Sequence, residues 1–150
     1  MEKLQIQNSI AINAPASRVW DVLTNPEHTR KYMFGCEALS DWKPESPLLW
    51  RMQHEGRDFV AVKGNVLEFE PEKRLVYTVF DPNTPVADIP ENYLTVAYYL
   101  ESGNGQTILT VTQGDFNTVE NGKKRYQEMY NNGEGWNPIL RQVKALAENN

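Results

Sequence analysis

Near the C-terminus, Trp136, Ile139, Leu140, Val143, Leu146 and Ala147 recur at the spacing i, i+3, i+4, i+7, i+10 and i+11. On a helix of 3.6 residues per turn these side chains form one continuous stripe. Arg141, Gln142, Lys144 and Glu148 fall on the other side. A stripe this apolar has to cover an apolar surface. The chain before it reads mostly as strands, so the helix is expected to lie across a sheet. Two outcomes are open at this point: helix and sheet enclose a packed core, or they leave a cavity between them.

The strands follow from alternation and from the turns between them. Leu4, Ile6, Asn8, Ile10 and Ile12 share one side of a first strand over 4–12, with Asn8 its one polar inward residue. Asn13-Ala14-Pro15 ends it, and Pro15 suits the start of a helix that carries Ala16, Val19, Trp20 and Leu23. Asn25 can cap, and Pro26 can open, a second short helix over 26–32. From Cys36 onward, 36–43, 48–55, 58–70, 74–81, 92–101 and 106–116 read as strands. The short turns between them imply antiparallel hairpins. The Pro-rich connection 82–91 is long for a hairpin and is expected to project as a semi-rigid loop. Residues 120–132 suit a helix, with a break or kink expected over 132–138 around Gly133, Gly135 and Pro138.

Inner faces follow from parity. Leu75, Tyr77 and Val79 share a side, as do Leu94, Val96, Tyr98 and Leu100, and Leu109, Val111 and Gln113. Trp50 and Met52 pair on the strand read over 48–55. Gly64 marks a candidate bulge, which leaves the directions of Trp42, Phe59 and Phe69 open. These faces read first as packed core, with the wall of a ligand pocket as the alternative. An inward Gln113 needs hydrogen-bond partners: a neighbouring backbone group or Tyr hydroxyl, or a ligand's polar group.

Composition excludes several classes of function. The 150 residues carry a net charge of −5, and the longest basic run is Lys123-Lys124-Arg125. No basic face is available for nucleic acid or an anionic membrane. A chain of this length buries roughly 70% of its unfolded surface, which needs no staple. The single Cys36 allows no intrachain disulfide and fits a reducing compartment. Residues 1–5 lack the apolar core of a signal peptide, and no apolar run approaches about 18 residues. The expectation is one soluble, cytoplasmic domain over 1–150.

Catalytic and metal motifs are sparse. One cysteine and two histidines, His28 and His54, do not make a zinc set, and both histidines are expected at the surface. No dinucleotide fingerprint, Walker loop or nucleophile elbow occurs, so neither a metal nor a cofactor is expected. Cys36 reads as a small buried residue. Glu68, Asp81 and Asp115 are the carboxylates near strand ends that acid–base work could use.

The order of elements, together with Ile10-Ala11-Ile12-Asn13-Ala14-Pro15-Ala16-Ser17-Arg18-Val19-Trp20-Asp21-Val22-Leu23-Thr24-Asn25-Pro26-Glu27, resembles the START-like (SRPBCC, helix-grip) superfamily. Within it the chain is most similar to the branch named after the activator of heat-shock-protein-90 ATPase homologues. Gly64-Asn65-Val66-Leu67-Glu68 with Pro71 and Leu75-Val76-Tyr77-Thr78, then Thr107 to Gln113, then Gly135-Trp136 with Leu140 and Leu146, carry that similarity. The resemblance implies an α+β helix-grip fold: a curved antiparallel sheet of six to seven strands around a long C-terminal helix, with two short helices after the first strand. It also implies an apolar cavity, which relatives use for hydrophobic small molecules; a minority are cyclases. The eukaryotic co-chaperones of the branch carry a separate N-terminal domain for which 150 residues leave no room.

Three functions compete on this basis. One is non-enzymatic binding of a hydrophobic or aromatic small molecule. Another is a protein-interaction module with a chaperone or other protein as partner. The last is a cyclase- or hydrolase-type enzyme using the same cavity. The cavity wall is expected from Trp50, Met52, Tyr77, Val79, Val96, Tyr98, Leu109, Val111, Gln113, Trp136 and Leu140. Its mouth is expected between Trp136, as a movable wall, and the 82–91 loop. A monomer and an edge-paired homodimer are both compatible with the sequence.

Overall fold

The computed structural model describes residues 4–149. Residues 1–3, part of the stretch read as lacking a signal peptide, lie outside them. Seven antiparallel strands form one sheet in the order β1-β7-β6-β5-β4-β3-β2. They are β1 (Ile6–Ile12), β2 (Glu37–Ser40), β3 (Pro47–His54), β4 (Arg57–Glu70), β5 (Arg74–Val79), β6 (Leu94–Gly103) and β7 (Gln106–Gly114). Between β1 and β2 run α1 (Ala16–Thr24) and α2 (Pro26–Tyr32); α3 (Gly122–Tyr130) and α4 (Asn137–Glu148) close the chain.

The two short helices form where their punctuation directs. The Asn25 side chain accepts from the Glu27 N–H at 3.0 Å, and Pro26 opens α2. Thr29, fully buried, accepts from the Ala38 N–H at 2.9 Å and so ties α2 to β2. The second strand is shorter than the expected 36–43. After Ser40 the chain turns at Trp42, in left-handed conformation, and Ser46 Oγ accepts from the Lys43 N–H at 3.1 Å.

The sheet curves at two bulges. Trp50 faces Val62 while Arg51 faces Val60, so Ala61 is the extra residue; Val66 faces Tyr77 while Glu68 faces Val76, so Leu67 is another. An extra residue bends its strand and increases its twist. Gly64 lies between them without being a bulge residue itself. A Cβ there would sit 1.7 Å from the Thr78 carbonyl oxygen, so β4 passes β5 at a distance only glycine permits.

The 82–91 connection does not project. Lys63 pairs with Asp88, the Tyr93 hydroxyl donates to Asp88 at 2.6 Å, and Asn83 Nδ2 donates to the Val60 carbonyl at 3.0 Å. These contacts fold the loop back onto β4. A short turn of 3₁₀ helix at Pro90–Asn92 takes up the expected start of β6.

The expected break between the last two helices is present. Asn131, Asn132, Gly133 and Gly135 all have positive φ, and α4 starts only at Asn137. Pro138 therefore falls in the first turn, where its missing N–H costs no helical bond. Trp136 caps this helix from outside and is not part of the stripe proper; Ile139, Leu140, Val143 and Ala147 are the buried residues of α4. The helix runs along β1: Trp136 N–H donates to Asn8 Oδ1 at 2.9 Å, Lys144 Nζ to the Ala11 carbonyl at 3.2 Å, and Glu148 accepts from the Asn13 N–H at 2.8 Å.

Candidate ligand-binding cavity

The inner face of the sheet is organised in rows across the strands. One row reads Ile6, Gln113, Val96, Tyr77, Val66 from β1 to β4. The next reads Asn8, Val111, Tyr98, Leu75, Phe69, and the one beyond it Ile10, Leu109, Leu100. Because α4 starts beside Asn8 and runs toward Asn13, it covers the later rows. The first row lies beyond its start, under the break at 131–136. A cavity of about 430 Å³ remains there.

The sheet supplies Gln113, Val96, Tyr77 and Val79 to this cavity, and β3 and β4 supply Trp50, Met52, Ala61 and Val62. Successive residues Ala61 and Val62 both reach it because Ala61 is the bulge residue. From the other side come Met33, Phe34 and Cys36 in the α2–β2 connection, Met129 on α3, and Trp136 and Ile139 at the start of α4. Phe34 is 75% exposed, and Met33, Met52 and Met129 are half-buried, which marks the mouth.

Seven residues expected in the wall line it: Trp50, Met52, Tyr77, Val79, Val96, Gln113 and Trp136. The other four do not. Tyr98, Leu109, Val111 and Leu140 are buried in the closed core. Parity placed Tyr98, Leu109 and Val111 on the correct face, but their rows are covered by α4, which carries Leu140 into the same core. The mouth is also elsewhere than expected. No residue of 82–91 lines the cavity, because that loop is bound to β4.

Trp136 is held, not movable. It is 5% exposed. Its backbone N–H donates to Asn8, and its indole Nε1 donates to Gln113 Oε1 at 2.9 Å. Gly135 makes this possible: with φ of 51° and a would-be Cβ only 2.5 Å from Asn8 Oδ1, the position takes no side chain. Gln113 thus has a protein partner, though not of the kind expected. That partner is an indole rather than a backbone group or a tyrosine hydroxyl.

Below the cavity, the hydroxyls of Tyr77 and Tyr98 hydrogen-bond at 2.8 Å, and Tyr32 donates to the Leu23 carbonyl at 2.9 Å. Burial pushes all three phenols up, the proximity of Tyr98 adding to the rise at Tyr32 and Tyr77. Ring contacts run from Trp50 to Tyr77, Tyr98 and Trp136, with centroids 6.0, 5.6 and 6.1 Å apart. Burial also raises the Cys36 thiol, which keeps it neutral at physiological pH.

The strand-end carboxylates serve the scaffold. Glu68 pairs with Arg74 at 3.2 Å, Asp81 accepts from the Asn83 N–H at 2.8 Å, and Asp115 accepts from the Leu4 N–H at 2.9 Å. His54 is exposed as expected, but His28 is not: it packs against α1 with Nε2 3.1 Å from Asp21 and its side chain only 16% exposed. No group of three or more metal-ligating side chains occurs among the described residues. No helix among them is long and apolar enough to cross a membrane.

The family model described as activator of Hsp90 ATPase homolog 1-like protein matches residues 13–148. The chain belongs to this family. A solution structure from Cytophaga hutchinsonii is 35% identical, covering 99% of this chain and 97% of its own, with a TM-score of 0.74. A crystal structure from Nitrosomonas europaea is 22% identical, covering 97% and 96%, at 0.71. The Aha1 dimer from Colwellia psychrerythraea, solved in solution, is 16% identical, covering 97% and 96%, at 0.66. The last two show the helix-grip fold alone. No curated protein sequence matches the chain.

Proposed function

We propose that the protein binds a hydrophobic, ring-bearing small molecule in the cavity at the start of α4, and holds it without transforming it. The family is compatible with small-molecule binding and with protein binding. The observation that favours the former is the cavity itself: about 430 Å³, within the range of small-molecule sites, with aromatic and thioether walls and one amide. Its lining contains neither a carboxylate nor an imidazole, so it offers no ordinary general base.

Trp50 and Trp136 report on occupancy. Titration of hydrophobic aromatic compounds should change tryptophan emission and raise the melting temperature. A compound at 100 times its Kd adds about 2.7 kcal/mol of stability. Trp136→Ala should weaken binding far more than Leu146→Ala, since Trp136 lines the cavity and Leu146 does not. Equal effects of the two changes, or no compound that shifts either signal, would refute the proposal.

A further inference from the structure

We propose that the cavity selects uncharged aromatic molecules that carry a hydrogen-bond acceptor such as a carbonyl oxygen, and that the Gln113 Nε2 amide is the group that recognises it. This rests on the binding role proposed above and narrows it to a ligand class.

The orientation of Gln113 follows from its partner. An indole N–H can only donate, so the amide oxygen is the atom that faces Trp136. The NH₂ is then turned away from the indole. Gln113 is half-buried on the cavity wall, and its Nε2 donates to no group among the described residues. Nor is Nε2 among the fully enclosed polar atoms that lack a partner, so it is open to solvent on a residue that lines the cavity. The oxygen is fixed by an indole that Asn8 and Gly135 hold in place, which aims the NH₂ before any ligand arrives.

The rest of the lining defines what that donor can meet. The Tyr77 hydroxyl is already paired with Tyr98, and Cys36 offers only a weak neutral thiol donor. No lysine, arginine, histidine, aspartate or glutamate lines the cavity. A charged ligand would give up hydration and gain no countercharge. An acceptor-bearing neutral molecule satisfies the open amide donor, while a plain hydrocarbon displaces its water and leaves it unpaired. Trp50, Tyr77 and Trp136 present ring faces, and Met33, Met52 and Met129 present adaptable thioethers, a combination suited to planar rings of varied outline.

Three probes of similar shape test this: 2-acetonaphthone, 2-ethylnaphthalene and 2-naphthoate, titrated at neutral pH by tryptophan emission and calorimetry. The ketone should bind about tenfold more tightly than the hydrocarbon, and at least about 100-fold more tightly than the carboxylate. Gln113→Glu keeps an acceptor for the Trp136 indole but removes the NH₂. Gln113→Met keeps the length and removes both. In each variant the ketone should lose its advantage over 2-ethylnaphthalene, a ratio that a general loss of stability does not move. Equal binding of the two neutral probes by the unmodified protein, or an advantage that survives both variants, would overturn the role of Gln113 while leaving the cavity a binding site. Failure of both neutral probes to bind would overturn the binding role and this inference together.

Discussion

Gln113 and Leu109 stand on the same face of β7, about 14 Å apart along the strand, and their surroundings differ. Leu109 is fully buried in the core that α1 and α4 close. Gln113 borders open space, because the helix that covers Leu109 has not yet begun there. The two ends of the sandwich share strands, alternation and residue types. What separates them is the position at which α4 starts, set by the Gly133–Pro138 punctuation. A sealed core and a cavity are therefore two results of one construction, and the boundary between them is a helix terminus.

The largest test of this contrast compares neighbours on α4. Leu140→Ala removes a side chain enclosed by packed neighbours and should cost about 2–5 kcal/mol. Ile139→Ala, at the cavity edge, should cost less than about 2 kcal/mol, since its neighbours already border a void. Urea unfolding of both variants measures the difference, and equal losses would mean that the two ends are packed alike.

The tyrosine pair lies on the boundary. Tyr77→Phe or Tyr98→Phe leaves a buried hydroxyl without its partner and should cost about 1–3 kcal/mol. The double variant should cost less than the sum, because both polar groups then disappear together. The same phenols predict alkaline sensitivity. Their folded pKa values are raised, so the stability they protect is complete below the ordinary tyrosine value of about 10 and is lost as pH rises beyond it. Unfolding midpoints followed above that pH should fall less steeply in the double variant than in the parent.

A smaller effect is expected at the anchor. Trp136→Phe removes the indole donor to Gln113 and should cost about 1 kcal/mol, with a proportionally larger loss in binding of an acceptor-bearing ligand, because Gln113 is no longer aimed. The smallest is at the mouth. Met129→Leu, a near volume-conserving change on a half-buried side chain, should alter stability by less than about 1 kcal/mol. Met129→Trp should obstruct the mouth and weaken binding with little change in the unfolding midpoint.

Much of this arrangement was legible in the chain. The α2 helix begins at Pro26 as its Asn25-Pro26 signal requires, and the helix break at 131–136 overlaps the expected 132–138 because consecutive Asn and Gly residues with Pro138 admit no continuous helix. Asn8, the one polar residue on the inner side of β1, was visible; that it would receive the Trp136 N–H was not, since 128 residues separate them. Alternation likewise could not identify Ala61 as a bulge residue, because a bulge is a mismatch between two strands and belongs to neither alone. Met33, Phe34 and Cys36 escaped for a related reason: a non-periodic turn gives no signal of which way its side chains face.

The sequence by itself determined which residues point inward wherever the period is unbroken, because the pleat of a strand and the turn of a helix are local and have fixed periods. The helix break is likewise local, while the helix-grip family was read from the resemblance of the chain's motifs and their order. Only the tertiary structure decided which inward residues meet the cavity. Register sets the row in which a residue lies, and the start of α4 sets which rows are covered. Both depend on contacts between segments far apart in the chain, so Val111 and Gln113, two residues apart and alike in parity, were assigned to different ends of the protein.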